Sequence, residues 1–478
     1  MKRKFAKIIS FIMIMFILSS IFYKSFSFKY ADGIYAFKEF YNERDNSIDV
    51  LFLGSSHMFV NVSPSILWKE YGMAGFDLGG SIQPLWNTYY YLKEALKTQS
   101  PEVIVIDCYS AVGCTDEYTD HSRIIKNNFG LKPSIDKIKS IKTSSPKDLW
   151  ADYLLEYPTF HERYTDITEK DFQSGRSVDY IAYNCWKGQY LYYNMVEQMR
   201  PDVDAMGGTH ALTDRNEKYL RKIIELAKRR DIPLVLMVAP YVLTNEDMRI
   251  YNRISEIADE YNIDYINFNY HYDNMSLDFS KDYADNAHMT YRGSEKFSKY
   301  LGKYLKNRYN IPDRRNNEDY ISYDKMLRYY EQIIYNKELA GKNNLESYLA
   351  ELQNENYIIV VSAIGNYKDL SNYKDVRKML LGCDIDLNKA SDNSVWIIKG
   401  GKKLSSSQGE DRYCWHEEVG KYDVLTVSSA DAIVEIKLNT MAYQQAAEGI
   451  NIWTYDMLTE SFVGTVDFEE GEDLLQTM

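Results

Sequence analysis

The sequence predicts an α/β protein in which helices cover both faces of a parallel sheet, followed by a region dominated by strands. Between residues 45 and 308, short apolar runs alternate with helical segments, which is the pattern of a parallel sheet with crossover helices. Several of these runs are continuously apolar, as expected of strands buried on both faces. Beyond about residue 345, short β-rich runs are separated by turn residues.

In the first region, predicted strands and helices alternate along the chain. Residues 48–54 form a strand, and a helix over residues 63–72 begins at the capping residue Ser63. A second short strand and loop occupy residues 74–80, and a helix over residues 84–97 has proline in its first turn. The remaining elements are a strand over 102–110, a helix over 217–231, a strand over 232–240, a helix over 245–262, a strand over 263–269 and a closing helix over 292–307.

One long segment, residues 115–214, does not fit this alternation. It is rich in aromatic and charged residues, and we interpret it as an insertion that forms a lid or a wall of a cleft. The polar stretch that follows the closing helix marks a domain boundary. We therefore predict a linker and helix over residues 309–345 and a β-rich domain over residues 346–478.

The chain begins with a targeting segment. Lys2, Arg3, Lys4 and Lys7 precede the apolar run 8–23, and Lys24 closes it. This pattern is typical of a secretory signal or of a signal anchor. Because no small-x-small cleavage site follows, we predict an uncleaved anchor over residues 1–28. Its basic end would lie in the cytoplasm and the rest of the chain outside.

The composition of the chain argues against some classes of function. A formal net charge of -13 argues against a nucleic-acid-binding protein, which needs a basic face. The five cysteines show no CxxC spacing and no metal-ligand rhythm, so we expect at most one or two disulfides, no structural metal and no cofactor.

A candidate nucleophile follows the first predicted strand, in Gly54-Ser55-Ser56-His57. Ligands of parallel sheets bind at the carboxyl ends of strands, and a serine there needs a base to become nucleophilic. Of the seven histidines, His288 is the best placed, since it precedes the closing helix and has Asp285 three residues earlier. A loop there returns over the same sheet edge as the Ser56 turn.

These motifs resemble those of the SGNH/GDSL hydrolase superfamily. Ser56 matches the nucleophile at the third position of the Gly-Asp-Ser-like block, and Asp285 and His288 match the final Asp-x-x-His block. The second block offers Gly79 or Gly80 as an oxyanion donor, and we choose Gly80. The resemblance covers residues 45–308. It implies a flavodoxin-like three-layer sheet and a Ser56, His288, Asp285 triad whose oxyanion hole is formed by the Ser56 and Gly80 N–H groups.

The sequence departs from the family at the third block, where "VIDCYSA" lacks the asparagine that faces the oxyanion. Together with the anchor, this resembles a divergent branch that acts with membrane-bound O-acyltransferases on envelope polymers. The resemblance implies that Ser56 passes an acyl group to a cell-surface polysaccharide or polyol. His161 and Arg163 are expected to add polar groups to the cleft, whereas His57 is expected to be local structure.

The C-terminal region, with "GINIWTYDMLTESFVGTVDF" over residues 449–468, resembles the interleukin-like EMT inducer domain. This resemblance implies either a glycan-holding module or a purely structural one. Two alternatives to the acyltransferase hypothesis stay open. One is a carbohydrate esterase that uses the same triad with water as acceptor, and the other is a non-catalytic glycan-binding surface protein.

Overall fold

The computed structural model describes most of the chain in two compact units, Met1–Leu327 and Arg328–Met478. The described residues are 2–114, 120–165, 167, 171, 186–342, 345–365, 374–391, 393–409, 412–420, 423–430, 433–439, 441–445 and 448–468. Each unit has its own sheets and its own apolar core.

The first unit is built on a five-stranded parallel sheet. Its strands are β1 Val50–Gly54, β2 Gly75–Gly79, β3 Val103–Asp107, β4 Leu234–Val238 and β5 Asp264–Asn267. Their order in the sheet is β2-β1-β3-β4-β5, and every pairing is parallel. This is the flavodoxin-like order, in which a ligand site forms where the chain reverses direction beside β1. The predicted α/β fold is confirmed.

Helices connect the strands of the first unit, the thirteenth helix runs from the first unit into the second, and the last two belong to the second. In chain order the helices are α1 Lys2–Phe26, α2 Ala36–Phe40, α3 Ser56–Asn61, α4 Pro64–Tyr71, α5 Leu85–Ala95, α6 Ser110–Gly113, α7 His121–Lys126, α8 Ile135–Ser144, α9 Trp150–Leu155, α10 Asp214–Arg229, α11 Asn245–Tyr261, α12 Tyr291–Arg308, α13 Ile321–Ala340, α14 Leu345–Ala350 and α15 Lys374–Leu381. Several begin at the residues that the sequence indicates. The Ser63 hydroxyl accepts from the N–H of Ile66, and Thr244 forms a capping box with Asp247.

The core explains why these segments adopt this fold. Strands β1 to β4 are buried at every position, so their apolar side chains pack against helices on both faces. Helix α10 shows the complementary pattern, because its buried apolar residues recur at helical spacing and include Leu220, Ile223 and Ala227.

The N-terminal helix carries an apolar span, Lys4–Phe26, that is long enough to cross a membrane. It is the one such helix in the described part of the chain. Its last turns contact the folded domain: the Ser19 and Tyr157 hydroxyls lie 2.6 Å apart, and the Tyr23 hydroxyl donates to Glu156 at 2.6 Å. The apolar span predicted at the N-terminus is therefore present and packs onto the domain at its C-terminal end.

The predicted insertion, residues 115–214, is described in part. It contributes α7, α8, α9 and a 3-10 helix over Tyr157–Arg163, and residues 190–200 run without helix or strand. This extended stretch is bonded to the sheet domain, since the Tyr190 N–H donates to the Phe59 carbonyl and the Tyr192 carbonyl accepts from the Tyr291 N–H, both at 2.8 Å.

The second unit is dominated by antiparallel strands, as predicted. A five-stranded sheet has the order β14-β13-β6-β7-β8 and a four-stranded sheet the order β12-β11-β10-β9. The strands are β6 Tyr357–Ile364, β7 Ser394–Lys399, β8 Lys402–Ser407, β9 Tyr413–Glu418, β10 Val424–Ala430, β11 Ile433–Leu438, β12 Met441–Gln445, β13 Gly449–Asp456 and β14 Ser461–Phe468. Residues of β6 alternate between two apolar clusters, Ile359 in one and Val360 in the other, so this strand is buried on both faces. The likeness to an interleukin-like EMT inducer domain stays a prediction.

Candidate active site

Ser56 lies at the carboxyl end of the central strand β1. The strand ends at Gly54 and α3 begins at Ser56, so the turn between them presents the serine at the sheet edge. Ser55 is fully buried and its hydroxyl has no partner among the described residues, whereas Ser56 is partly exposed. Of the two serines, Ser56 is therefore the one that a substrate can reach.

The structure brings Ser56 together with His288 and Asp285. The Ser56 Oγ lies 2.8 Å from His288 Nε2, and His288 Nδ1 lies 2.9 and 3.0 Å from the two Asp285 carboxylate oxygens. The carboxylate requires the proton on Nδ1, so Nε2 is left as the acceptor for the serine hydroxyl. This is the arrangement of a nucleophile, a general base and an orienting acid.

Several contacts keep Asp285 ionised. Partial burial raises the pKa of this carboxyl, but the contacts with His288 and the backbone N–H groups of Ala287 and His288 outweigh that effect and bring the pKa below its ordinary value. Those N–H groups donate to the carboxylate at 2.7 and 2.8 Å. The carboxylate therefore carries its charge at neutral pH and stabilises an imidazolium when one forms.

Asn61 clamps the loop that carries His288, a contact that sequence reasoning missed. Its side-chain oxygen accepts from the Met289 N–H at 2.8 Å, and its amide nitrogen donates to the Ala287 carbonyl at 3.5 Å. Asn61 is fully buried at the end of α3, the helix that begins with Ser56. One helix therefore holds both the nucleophile and the loop of its base. The signal in the sequence is a lone amide at the end of the apolar run "MFVN".

Aromatic rings surround the imidazole of His288. The ring of Tyr192, from the predicted insertion, meets it edge to face at 5.4 Å, so this part of the insertion forms a wall of the site. The His57 ring lies 5.6 Å away and stacks on Tyr109 at 3.5 Å. Complete burial and the nearby His288 hold the pKa of His57 well below its ordinary value, so this imidazole is neutral. His57 packs inside the protein and does not bond to Ser56 in the described structure.

The loop after β2 holds Gly80 in a narrow space. A Cβ at this position would lie 2.4 Å from the Asn127 side-chain oxygen, so a larger residue would displace that buried amide. With the Gln83 amide in the orientation that satisfies its neighbours, its oxygen accepts from the Gly80 N–H and its nitrogen donates to the Gly54 carbonyl, both at 3.2 Å. The Gly80 N–H therefore has a partner within the protein, and its role toward an oxyanion stays a prediction.

The end of β3 carries Asp107 where the sequence lacks the asparagine of the third block. Its carboxylate accepts from the backbone N–H groups of Tyr109 and Ala239, both at 2.9 Å. Complete burial raises its pKa to about 6 although these two bonds oppose the rise. Asp107 therefore ties the ends of β3 and β4 together beside the site.

The structure puts His161 and Arg163 elsewhere. The Arg163 guanidinium donates to the Asp171 carboxylate at 2.8 Å and to the Ser27 carbonyl at the end of α1. His161 is exposed, with its ring 5.4 Å from Tyr164. Neither bonds to the triad in the described part of the chain. The expectation that they line the cleft therefore needs correction: the fold carries the 3-10 helix Tyr157–Arg163 to the base of α1.

The described cysteines form no disulfide. Cys108, Cys114, Cys383 and Cys414 are free thiols, and Cys185 lies outside the described residues. In the described ranges, no three His, Cys, Asp or Glu side chains are grouped as a metal site would require.

Solved structures that are similar to this chain include two from Bacteroides species. A provisionally assigned acylhydrolase from Bacteroides fragilis matches 55% of this chain and 90% of its own length, at 15% identity and a TM-score of 0.28. A GDSL-like lipase from Bacteroides thetaiotaomicron matches 54% of this chain and 87% of its own, at 14% identity and a TM-score of 0.25. No family profile and no curated protein matches the sequence. At these TM-scores the comparisons carry no conclusion about this chain, and the fold described above rests on its own strand order.

Proposed function

We propose that this protein is a membrane-anchored serine acyltransferase that acts outside the cytoplasm on a cell-surface polysaccharide through an acyl-Ser56 intermediate. The observation that carries the proposal is the continuous hydrogen-bonded line from Ser56 Oγ through the His288 ring to the Asp285 carboxylate. A serine hydroxyl held at 2.8 Å from an imidazole nitrogen that can take its proton is poised for nucleophilic attack.

In the first half-reaction, Ser56 Oγ attacks the carbonyl carbon of the acyl donor while His288 Nε2 takes its proton. Asp285 stabilises the imidazolium. The tetrahedral intermediate then collapses, and the donor's leaving oxygen departs with the proton from Nε2. The acyl group remains on Ser56 as an ester.

In the second half-reaction, a hydroxyl of the acceptor attacks the acyl-Ser56 carbonyl. His288 Nε2 takes the hydroxyl proton and returns it to Ser56 Oγ as the ester bond to the enzyme breaks. The aromatic ring of Tyr192 beside His288 offers a face on which a sugar ring can stack, which supports a carbohydrate acceptor.

The oxyanion of each tetrahedral intermediate needs donors. The Ser56 N–H is in the first turn of α3, where a helix has no internal acceptor for it. We assign the second donor to Gly80, whose N–H must exchange its Gln83 partner for the oxyanion. One such donor contributes about 2.7–4 kcal/mol to the transition state, so an enzyme without the third-block asparagine is expected to be slow toward simple esters.

The apolar span and its contacts with the domain support a retained anchor. The Ser19 and Tyr23 hydroxyls bond to the domain at Tyr157 and Glu156, so cleavage after the span would remove groups that the domain uses. An enzyme held at the outer surface can take its acyl group from a membrane partner. We propose a membrane-bound O-acyltransferase as that partner, and a polysaccharide or polyol as the acceptor.

The test uses the purified full chain with an activated acetyl ester and an added oligosaccharide. We expect acetyl gain on the oligosaccharide by mass spectrometry, and Ser56→Ala should abolish it. Ser55→Ala is the matched control, because Ser55 is the adjacent serine and its hydroxyl has no hydrogen-bond partner among the described residues. It should retain activity.

The same experiment separates the alternatives. Release of free acetate without acetyl gain on the sugar would identify a carbohydrate esterase that uses water as acceptor. Equal turnover by Ser56→Ala and the unsubstituted protein would refute Ser56 as nucleophile. No turnover by the unsubstituted protein would leave glycan binding without catalysis as the remaining hypothesis.

A further inference from the structure

A cavity at the base of the N-terminal helix is lined by none of the triad residues. Its volume is about 300 Å³. The lining includes Tyr23 and Lys24 of α1, and also Phe28, Phe129 and Phe160. With the proposed anchoring through the span Lys4–Phe26, on which this inference rests, the cavity would lie at the level where lipid head groups meet the acyl region of a membrane.

The lining of this cavity contains more cationic side chains than its two carboxylates neutralise. Its two carboxylates are already paired: Asp171 with Lys29 at 2.9 Å and with Arg163 at 2.8 Å, and Glu156 with Lys137 at 2.6 Å. Two further lining lysines, Lys24 and Lys38, have no carboxylate partner among the described residues.

Those two lysines are exposed at the cavity, whereas both carboxylates are buried. The ammonium group of Lys38 lies 5.1 Å from the Tyr35 ring. The opening therefore presents cations while the acidic groups are neutralised behind it.

The floor is aromatic. The Phe28 ring packs edge to face against Phe129 and Phe160, with centroids 6.3 and 6.1 Å apart. An apolar floor beneath a cationic rim fits an amphiphile whose charged end meets the lysines and whose first carbons meet the rings. Aromatic residues at the membrane interface have this dual preference.

We propose that this cavity binds the head group of an anionic phospholipid, with its phosphate paired to Lys24 and Lys38 and its glycerol against the aromatic floor. A bound lipid would fix the depth of the domain at the membrane surface. The proposal is independent of the triad, because none of its residues contacts Ser56, Asp285 or His288 in the described structure.

The test is a calorimetric titration of the full chain in neutral detergent with short-chain phosphatidylglycerol. Phosphatidylcholine of the same chain length and inorganic phosphate are the other two probes. A lysine near a lipid surface contributes roughly a fivefold factor in binding, so Lys24→Gln with Lys38→Gln should weaken phosphatidylglycerol binding roughly 30-fold. The double arginine variant, Lys24→Arg with Lys38→Arg, should retain it.

The matched control is Lys303→Gln with Lys325→Gln, two exposed lysines that do not line the cavity. It should bind as the unsubstituted protein does. Equal binding of phosphatidylcholine, or equal weakening by the control pair, would overturn the proposal. Inorganic phosphate that binds as tightly as the lipid would assign the cavity to free phosphate and overturn the lipid assignment. Thermal unfolding of each variant verifies that the fold is intact.

Discussion

Asn61 is the residue whose removal tests the geometry of the site most sharply without touching a reacting group. Asn61→Ala deletes both bonds that hold the His288 loop: the acceptor for the Met289 N–H at 2.8 Å and the longer donor to the Ala287 carbonyl at 3.5 Å. The substitution leaves the side chains of His288 and Ser56 unaltered. It removes only the hydrogen bonds that support the loop between Asp285 and Met289.

These contacts allow the losses of stability and of kcat in Asn61→Ala to be estimated. The Met289 N–H is buried, and an unpaired buried donor costs about 1–3 kcal/mol of stability. The 3.5 Å bond adds little. A shift of the loop by about 1 Å lengthens the Ser56–His288 contact, and a misplacement of that size costs on the order of 10²-fold in rate. We therefore expect a modest loss of stability and a much larger loss of kcat.

The assay compares kcat for an activated ester with urea unfolding, and Asn216→Ala is the matched control. Asn216 is also fully buried, and its amide donates to the Cys114 carbonyl at 3.1 Å, away from the triad. It should lose similar stability but keep kcat per folded molecule. If Asn61→Ala and Asn216→Ala have the same kcat, the clamp on the His288 loop has no catalytic role.

Two further predictions concern the imidazoles. Asp285→Asn removes the charge that orients His288. It should lower kcat for ester hydrolysis by a factor on the order of 10³–10⁴, with little change in the melting temperature measured by calorimetry. An unchanged kcat would contradict the role of Asp285. His57 has a pKa below its unfolded value, so the unfolded chain binds the extra proton and stability falls as pH drops below about 6.5. His57→Phe should remove that contribution, worth up to ~1.4 kcal/mol per pH unit. The free energy of unfolding is measured in urea at pH 5 and pH 7 for both proteins. Asp107, whose raised pKa acts in the opposite direction, is present in both, so the difference between the two proteins reports the His57 contribution alone. Equal pH dependence of the two proteins would contradict a buried neutral His57.

The sheet could be predicted because its strands are continuously apolar and its helices begin at clear capping residues. Ser63 accepts from the Ile66 N–H within the first turn of its helix, as predicted. The Thr244 capping box was found only in the structure. Strands β8, β9 and β12 were not predicted. Lys402–Ser407 is polar and mostly exposed, and Tyr413–Glu418 alternates half-buried and exposed residues, so neither carries the continuous apolar signal of a strand buried on both faces.

The triad could be predicted from the sequence because the strand order of a parallel sheet determines which loops lie side by side. The strand order brings the end of β1 and the loop before α12 to one sheet edge, so Ser56 and His288 meet although they are 232 residues apart. Asn61 could not be assigned a role, since its partners lie more than 220 residues away in the chain. His161 and Arg163 were misplaced because an insertion has no fixed position on the sheet, and only contacts with α1 and Asp171 locate it.

The most direct test of the central claim is to trap the intermediate. The full chain is incubated with a fluorophosphonate or an activated acyl ester, digested and analysed by mass spectrometry. We predict a single adduct on Ser56, absent in Ser56→Ala, formed at least 100-fold more slowly in His288→Ala, and unchanged in Ser55→Ala. An adduct on Ser55, or no adduct on the folded protein, would contradict a nucleophilic Ser56 and the acyl-transfer function built on it.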